Sequence, residues 1–142
     1  MCVFRASSRH VPLDMFLVTS KLDVYRHDIK GDAPTVGKER LPFTEHCIHV
    51  DVSKAGMGAL DQQIADAEAF LKTFRDELAQ LKEDIPDCDL VLDFPCERRG
   101  AMQCERFPAP FLKQAGEAGA DVELSLYPAG NPLAEGGGSD SV

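Results

Sequence analysis

Between Leu60 and Ile85 apolar side chains recur every three or four positions: Leu60, Ile64, Ala67, Leu71, Phe74, Leu78, Leu81 and Ile85. At 3.6 residues per turn they form one stripe along a helix, and Asp61, Gln62, Asp66, Glu68, Lys72, Arg75, Asp76, Gln80 and Lys82 are left for water. Gly56 and Gly58 lie ahead of it, and Pro86 stops it, because proline drives the residue before it out of the helical region. At Cys88 the period falls to two. Cys88, Leu90, Leu92 and Phe94 share one side and Asp87, Asp89, Val91 and Asp93 the other, the pattern of a half-buried strand. The stripe is also a short heptad repeat, so a helix-mediated dimer stays open as an alternative. An apolar helix face followed at once by an apolar strand face favours a helix lying on a sheet.

The flanking segments complete the expected fold. Cys2 to Ser7 reads as a first strand, and Pro12 opens a short helix through Leu13, Phe16, Leu17 and Ser20 to Leu22. Asp23 to Arg40 reads as a polar connection broken by Gly31, Pro34 and Gly37, with Val24 and Ile29 pinning it down. Thr44 to Val52 is a second strand, with Ile48, Val50 and Val52 on one face and Glu45, Cys47, His49 and Asp51 on the other. After the Cys88–Phe94 strand, Glu97-Arg98-Arg99-Gly100 reads as a turn, and Ala101 to Phe107 as a fourth strand antiparallel to the third. Pro108 and Pro110 introduce a last helix through Phe111, Leu112 and Ala115, ended by Gly116 and Gly119. Asp121 to Tyr127 is a fifth strand with Val122, Leu124 and Leu126 inward. The expected class is α+β, a single domain over residues 1–128. Its mixed, mainly antiparallel sheet of about five strands runs in the order β-α-β-α-β-β-α-β, with helices mainly on one face. Residues 129–142, rich in Gly, Pro and Ser, read as a flexible tail.

Composition adds limits. A chain of 142 residues with 44% apolar content fits one core. No run approaches the ~18 apolar residues of a membrane span, and the start lacks a signal peptide's apolar region, so a cytoplasmic setting is expected. Five cysteines, Cys2, Cys47, Cys88, Cys96 and Cys104, form no framework and read as free thiols or small hydrophobes. A Cys96–Cys104 bridge across the expected hairpin stays open. The net charge of −9 is uneven: residues 1–54 carry 8 basic and 7 acidic side chains, residues 55–93 carry 3 and 10, and residues 94–142 carry 4 and 7. That sign repels nucleic acid and anionic lipid and steers a basic protein partner instead. Monomer and homodimer are both compatible with the pattern.

The opening strand and short helix lead to Val24-Tyr25-Arg26-His27-Asp28-Ile29-Lys30-Gly31-Asp32. The long helix and the Leu90–Phe94 strand follow. The chain then runs from Phe107-Pro108-Ala109-Pro110-Phe111-Leu112 to Ala118-Gly119-Ala120-Asp121-Val122-Glu123-Leu124-Ser125-Leu126-Tyr127. Over residues 2–128 this succession resembles the small bacterial proteins of the DUF4279 family, a domain of unknown function. The resemblance implies an α+β fold and a cytoplasmic bacterial setting, and it supplies no catalytic residues.

Chemistry concentrates in His46-Cys47-Ile48-His49-Val50-Asp51. In a strand Cys47, His49 and Asp51 share a face, with His46 opposite, and such a set can begin a zinc or iron site. No CxxC or HxxxH pair accompanies it, so a plain polar sheet face is the competing reading. Cys47 beside His46 or His49 is also the one local thiol–imidazole pair. Asp87, Asp89 and Asp93 line the outer side of the third strand, beside Glu45 and Asp51 if the second strand is its neighbour. Crowded carboxylates can act as an acid/base pair or cation site, and otherwise form a solvated face suited to a basic partner. Arg98, Arg99 and Arg106 read as a solvated turn. P-loop, GxGxxG and GxSxG motifs are lacking, and no cofactor is expected. The chain therefore reads as a non-enzymatic interaction protein with an acidic surface, of the immunity type that binds a basic toxin. The alternative is a small-molecule or metal-binding protein, extending to an enzyme, that uses His46, Cys47, His49 and Asp51.

Overall fold

The structure is a computed structural model that describes residues 1–34 and 41–129. Its elements are β1 (Val3–Ser8), α1 (Asp14–Thr19), β2 (Val24–Asp28), β3 (His46–Asp51), α2 (Leu60–Thr73), α3 (Arg75–Asp84), β4 (Asp89–Glu97), α4 (Ala109–Glu117) and β5 (Ala120–Tyr127). The strands form one sheet in the order β2-β3-β1-β4-β5, antiparallel throughout except for the parallel β4–β5 pair. This is the expected α+β class with a mixed, mainly antiparallel sheet. The tail expected over residues 129–142 lies outside the described residues from 130 onward.

Two crossovers decide where the helices go. β3 and β4 run the same way with β1 between them, joined through α2 and α3, and β4 passes through α4 to the adjacent β5. Both steps move toward the same edge, and crossovers between parallel strands are right-handed, so both sets of helices cover the same face. Phe4, Ala6, Ile48, Val50, Leu90, Leu92 and Phe94 project from that face into a core with Leu60, Ile64, Ala67, Leu71, Leu78 and Leu81. Phe16 and Leu17 of α1 pack against the same core.

The expected stripe is buried as read, with Phe70 added and Phe74 only half-buried. It runs through two abutting helices rather than one. Phe74 sits at their junction with φ −103° and ψ 14°, yet its N–H still donates to Phe70 O at 3.0 Å and its carbonyl accepts from Leu78. Gln63, a polar position, is fully buried and donates to the carbonyls of Gly56 (2.9 Å) and Pro95 (3.1 Å), tying the start of α2 to β4.

Two expected strands change places. Ala101 to Phe107 is not a strand, and the expected hairpin is absent. Parallel β5 pairs with β4 up to Glu97↔Tyr127, and Tyr127 O accepts the Arg98 N–H at 2.7 Å, so the edge a hairpin would have used is filled. The segment is held instead by Gln103, which accepts from Arg99 N and donates to Glu97 O, and by Phe107 packing edge-on against Phe94. Cys96 is buried and Cys104 exposed, both free thiols. In compensation, Val24–Asp28, read as connection, is edge strand β2. On β5, Val122 packs on the core, and Leu124 and Leu126 share its side by register to Phe94 and Cys96 but are 38% and 51% exposed.

Leu78 has no exposed surface, so Leu78→Ala should cost about 2–5 kcal/mol in urea unfolding. Leu124→Ala on the uncovered end of β5 should cost less than about 1 kcal/mol in the same assay.

Candidate functional site

The face without helices is a grid set by strand register. Asp28, Cys47, Ser7 and Asp89 form one row across β2, β3, β1 and β4. Arg26, His49, Arg5, Val91 and Asp121 form the next, and Asp51, Val3, Asp93 and Glu123 the third. Two arginines thus cross the middle of a face whose flanking rows are acidic. Arg5 pairs with Glu123, and Asp93 Oδ1 accepts from the Ser125 hydroxyl at 2.6 Å.

β2 enters this grid through a bulge. Val24 pairs with Val50 and faces the core, yet Arg26, two residues on, pairs with His49 rather than Ile48. The extra residue is Tyr25, and it reverses the alternation so that Arg26 and Asp28 turn to the open face. Asp28 then reaches His49, with Oδ2 at 3.2 Å from Nε2, while Arg26 Nε donates to Oδ1 at 2.8 Å. The Tyr25 ring lies 6.0 Å from the His49 ring.

Of the residues singled out in the sequence, Cys47 and His49 come together and Asp28 joins them, their ligand atoms all within 4.8 Å of one another. Asp51 does not join: it is exposed, at the far end of β3 opposite Val3. His46 faces the core side, buried, where its Nδ1 accepts the Lys30 N–H at 3.3 Å. The carboxylates Glu45 and Asp51 are not neighbours of Asp89 and Asp93, because β1 stands between β3 and β4. Two strand spacings, roughly 9–10 Å, separate the two sets, too far for an acid/base pair. Asp87 precedes β4 in an exposed turn. Asp28 was the residue missed, since its bulged strand has no period of two to read.

The electrostatics follow from partial burial. Burial pushes Asp28 up, but hydrogen bonds from Arg26 and His49 outweigh it and hold the carboxyl below its ordinary value. Burial holds His49 below the ordinary histidine value despite the bond to Asp28, so near neutrality it is an uncharged imidazole beside a carboxylate. Burial, reinforced by Asp28, pushes the Cys47 thiol up to about 11. A thiol at that value is a poor nucleophile at neutral pH, which speaks against a catalytic cysteine. A groove of about 490 Å³ opens beside the cluster, lined also by Glu45, Ser7 and Asp89. A larger one, about 760 Å³, lies between α2, α3 and α4 near Lys72, Arg75 and Lys82. Lys82 is already committed to Cys88 O at 2.7 Å, and nothing on that groove resembles a reactive constellation.

Comparison with protein-family models, with curated proteins and with solved structures found no match. No helix among the described residues is long and apolar enough to cross a membrane.

Because the folded value of His49 lies below its unfolded one, its contribution to stability is complete above the ordinary value of 6.5 and falls as pH drops through it. Asp28 adds a further loss on acidification below the ordinary carboxylate value of 3.8. Urea midpoints should therefore decline on the acid side of 6.5, and His49→Gln should flatten that first decline. An NMR titration of His49 should give a midpoint under 6.5.

Proposed function

We propose that the protein is a non-catalytic interaction module whose helix-free sheet face receives a basic protein, in the manner of an immunity-type inhibitor. The observation that carries this reading is the charge of that face: Glu45, Asp51, Asp89, Asp93, Asp121 and Glu123 surround Arg5 and Arg26 on a surface that no helix among the described residues covers. The acidity of residues 55–93 does not all count toward it. Asp66 accepts from Ser53 and Gln62, and Glu77 from Ser20 and the Lys21 N–H, so both are spent within the fold. Asp61, Asp76, Glu83 and Asp84 are exposed on the helix side. A sheet face with charged rows gives a partner orientation as well as attraction, and complementary charge acts chiefly on encounter rate and register. A cytoplasmic setting and membership of the DUF4279 family belong to the same proposal, supported by the succession of segments over residues 2–128. The second reading, metal binding on this face, is favoured by the Asp28–Cys47–His49 cluster.

The test is retention of a host protein by the immobilised full chain, followed by elution with salt. A basic protein should be held at low salt and released as salt rises, with Asp89→Lys/Asp93→Lys weakening retention at least about tenfold. Asp76→Lys/Glu83→Lys, an equal charge change on the helix side, should leave it nearly intact. Retention indifferent to salt, or lost equally in both variants, would remove the reading.

A further inference from the structure

We propose that Asp28, Cys47 and His49 bind one zinc ion, leaving its fourth position open to the groove beside them. The proposal stands apart from the basic-partner reading, which needs only the charges of the face.

Geometry comes first. Zinc bonds of about 2.0–2.1 Å to N and O and 2.3 Å to S imply tetrahedral edges of roughly 3.3–3.6 Å between ligand atoms. The His49 Nε2–Asp28 Oδ2 separation is 3.2 Å, already close to such an edge. All three ligand atoms lie within 4.8 Å, so Cys47 Sγ needs to close by at most about 1.2 Å to reach a sulfur edge of about 3.6 Å. That is within the reach of a χ1 adjustment at a half-buried side chain. The three come from paired positions on two adjacent strands, Asp28↔Cys47 and Arg26↔His49, so rigid backbone sets their spacing.

The surroundings suit an ion. Arg26 holds Asp28 by Oδ1, leaving Oδ2 toward His49, the outer contact that orients a ligating carboxylate. The side chains of Asp28 and His49 are only 12% and 13% exposed, so both are largely shielded from bulk water. One thiolate, one imidazole and one carboxylate make a mixed donor set that suits zinc and disfavours magnesium or calcium, which take oxygen alone. The bulge at Tyr25 places the third ligand, and bulges gather where a side chain must be re-aimed at a site.

The chemistry balances simply. Cys47–SH and Zn²⁺ give Cys47–S–Zn and one proton, which passes to solvent. His49 is uncharged and keeps its single proton, which moves from Nε2 to Nδ1 as Nε2 turns its lone pair to the metal. Asp28 is already ionised. Three ligands with an open fourth position are the arrangement of a zinc that still holds a water or a ligand atom, here toward the side of Glu45, Ser7 and Asp89.

The test uses the full chain, reduced and purified without chelators. It is titrated with Zn²⁺ against a chromophoric chelator and, separately, with Co²⁺ as an optical probe. Expected are one ion per chain, a single proton released per zinc near neutral pH, and a thiolate-to-cobalt charge-transfer band. Cys47→Ser should abolish the band. Asp28→Asn and His49→Gln should each weaken zinc by more than about 100-fold, beyond the effect of an outer-shell change. Asp51→Asn and Cys104→Ser should bind as the parent does. Circular dichroism of each variant separates lost binding from lost folding, and the near-isosteric Asp28→Asn decides the matter should Cys47→Ser unfold. No zinc uptake by the parent, or unchanged binding by Asp28→Asn, would overturn the proposal. So would a band that survives Cys47→Ser and disappears with Cys104→Ser, the mark of the exposed thiol.

Discussion

The handedness of two crossovers governs this molecule. β3 reaches β4 through α2 and α3, β4 reaches β5 through α4, and both steps travel toward the same edge of the sheet. Right-handed connections that advance in one direction stack their helices on one side. Phe4, Ala6, Ile48, Val50, Leu90 and Leu92 are thereby buried on that side, together with the polar Ser8 and His46, and Arg5, His49, Asp51, Asp89 and Asp93 are left on the opposite face beside Val3 and Val91. Had the β4–β5 step been of the opposite hand, α4 would lie over those two strands on the other face and cover the end of the grid that carries Asp93, Asp121 and Glu123.

Within that frame a single residue re-aims the edge strand. Without Tyr25 as an extra position, Arg26 and Asp28 would share the side of Val24 and point toward the core, where an ionised pair carries a large desolvation penalty. With it, they sit beside His49 and Cys47 in a shielded corner of the open face. The bulge also twists β2, one of the ways an exposed sheet edge avoids pairing with other chains. One backbone irregularity thus serves both the site and the edge.

Charge is partitioned with the same logic. Carboxylates on the helices are partly consumed by the fold, as Asp66 and Glu77 are, and on the sheet face Glu123 pairs with Arg5, Asp93 accepts from Ser125 and Asp28 is held by Arg26 and His49. A neutral imidazole, a protonated thiol and an anionic carboxylate occupy the most shielded corner. Under the zinc proposal, that corner would close slightly, Cys47 would lose its proton and the His49 proton would move to Nδ1. The wider acidic rows offer a second, longer-ranged attraction on the same surface.

The α2–α3 stripe, the β3 and β4 alternation and the sharing of a face by Cys47 and His49 were legible because each depends on a local period, 3.6 or two, that burial enforces residue by residue. The one-residue irregularity at Phe74 left the stripe in phase and so left no mark in the pattern. β2 was hidden because its bulge erases the period, and Ala101–Phe107 looked like a strand because alternation says nothing about which edge is already occupied. The partner of Cys47 and His49 lay equally beyond a local reading. Asp51 is two positions along the same strand, while Asp28 is nineteen positions back in the sequence and directly across the ladder. Amino-acid order alone determined the buried and open faces of the periodic segments α2–α3, β3 and β4, apart from positions such as Gln63 that the tertiary contacts bury. Only the tertiary arrangement decided which segments stand side by side, because strand neighbours are chosen by pairing and crossover geometry across long stretches of chain.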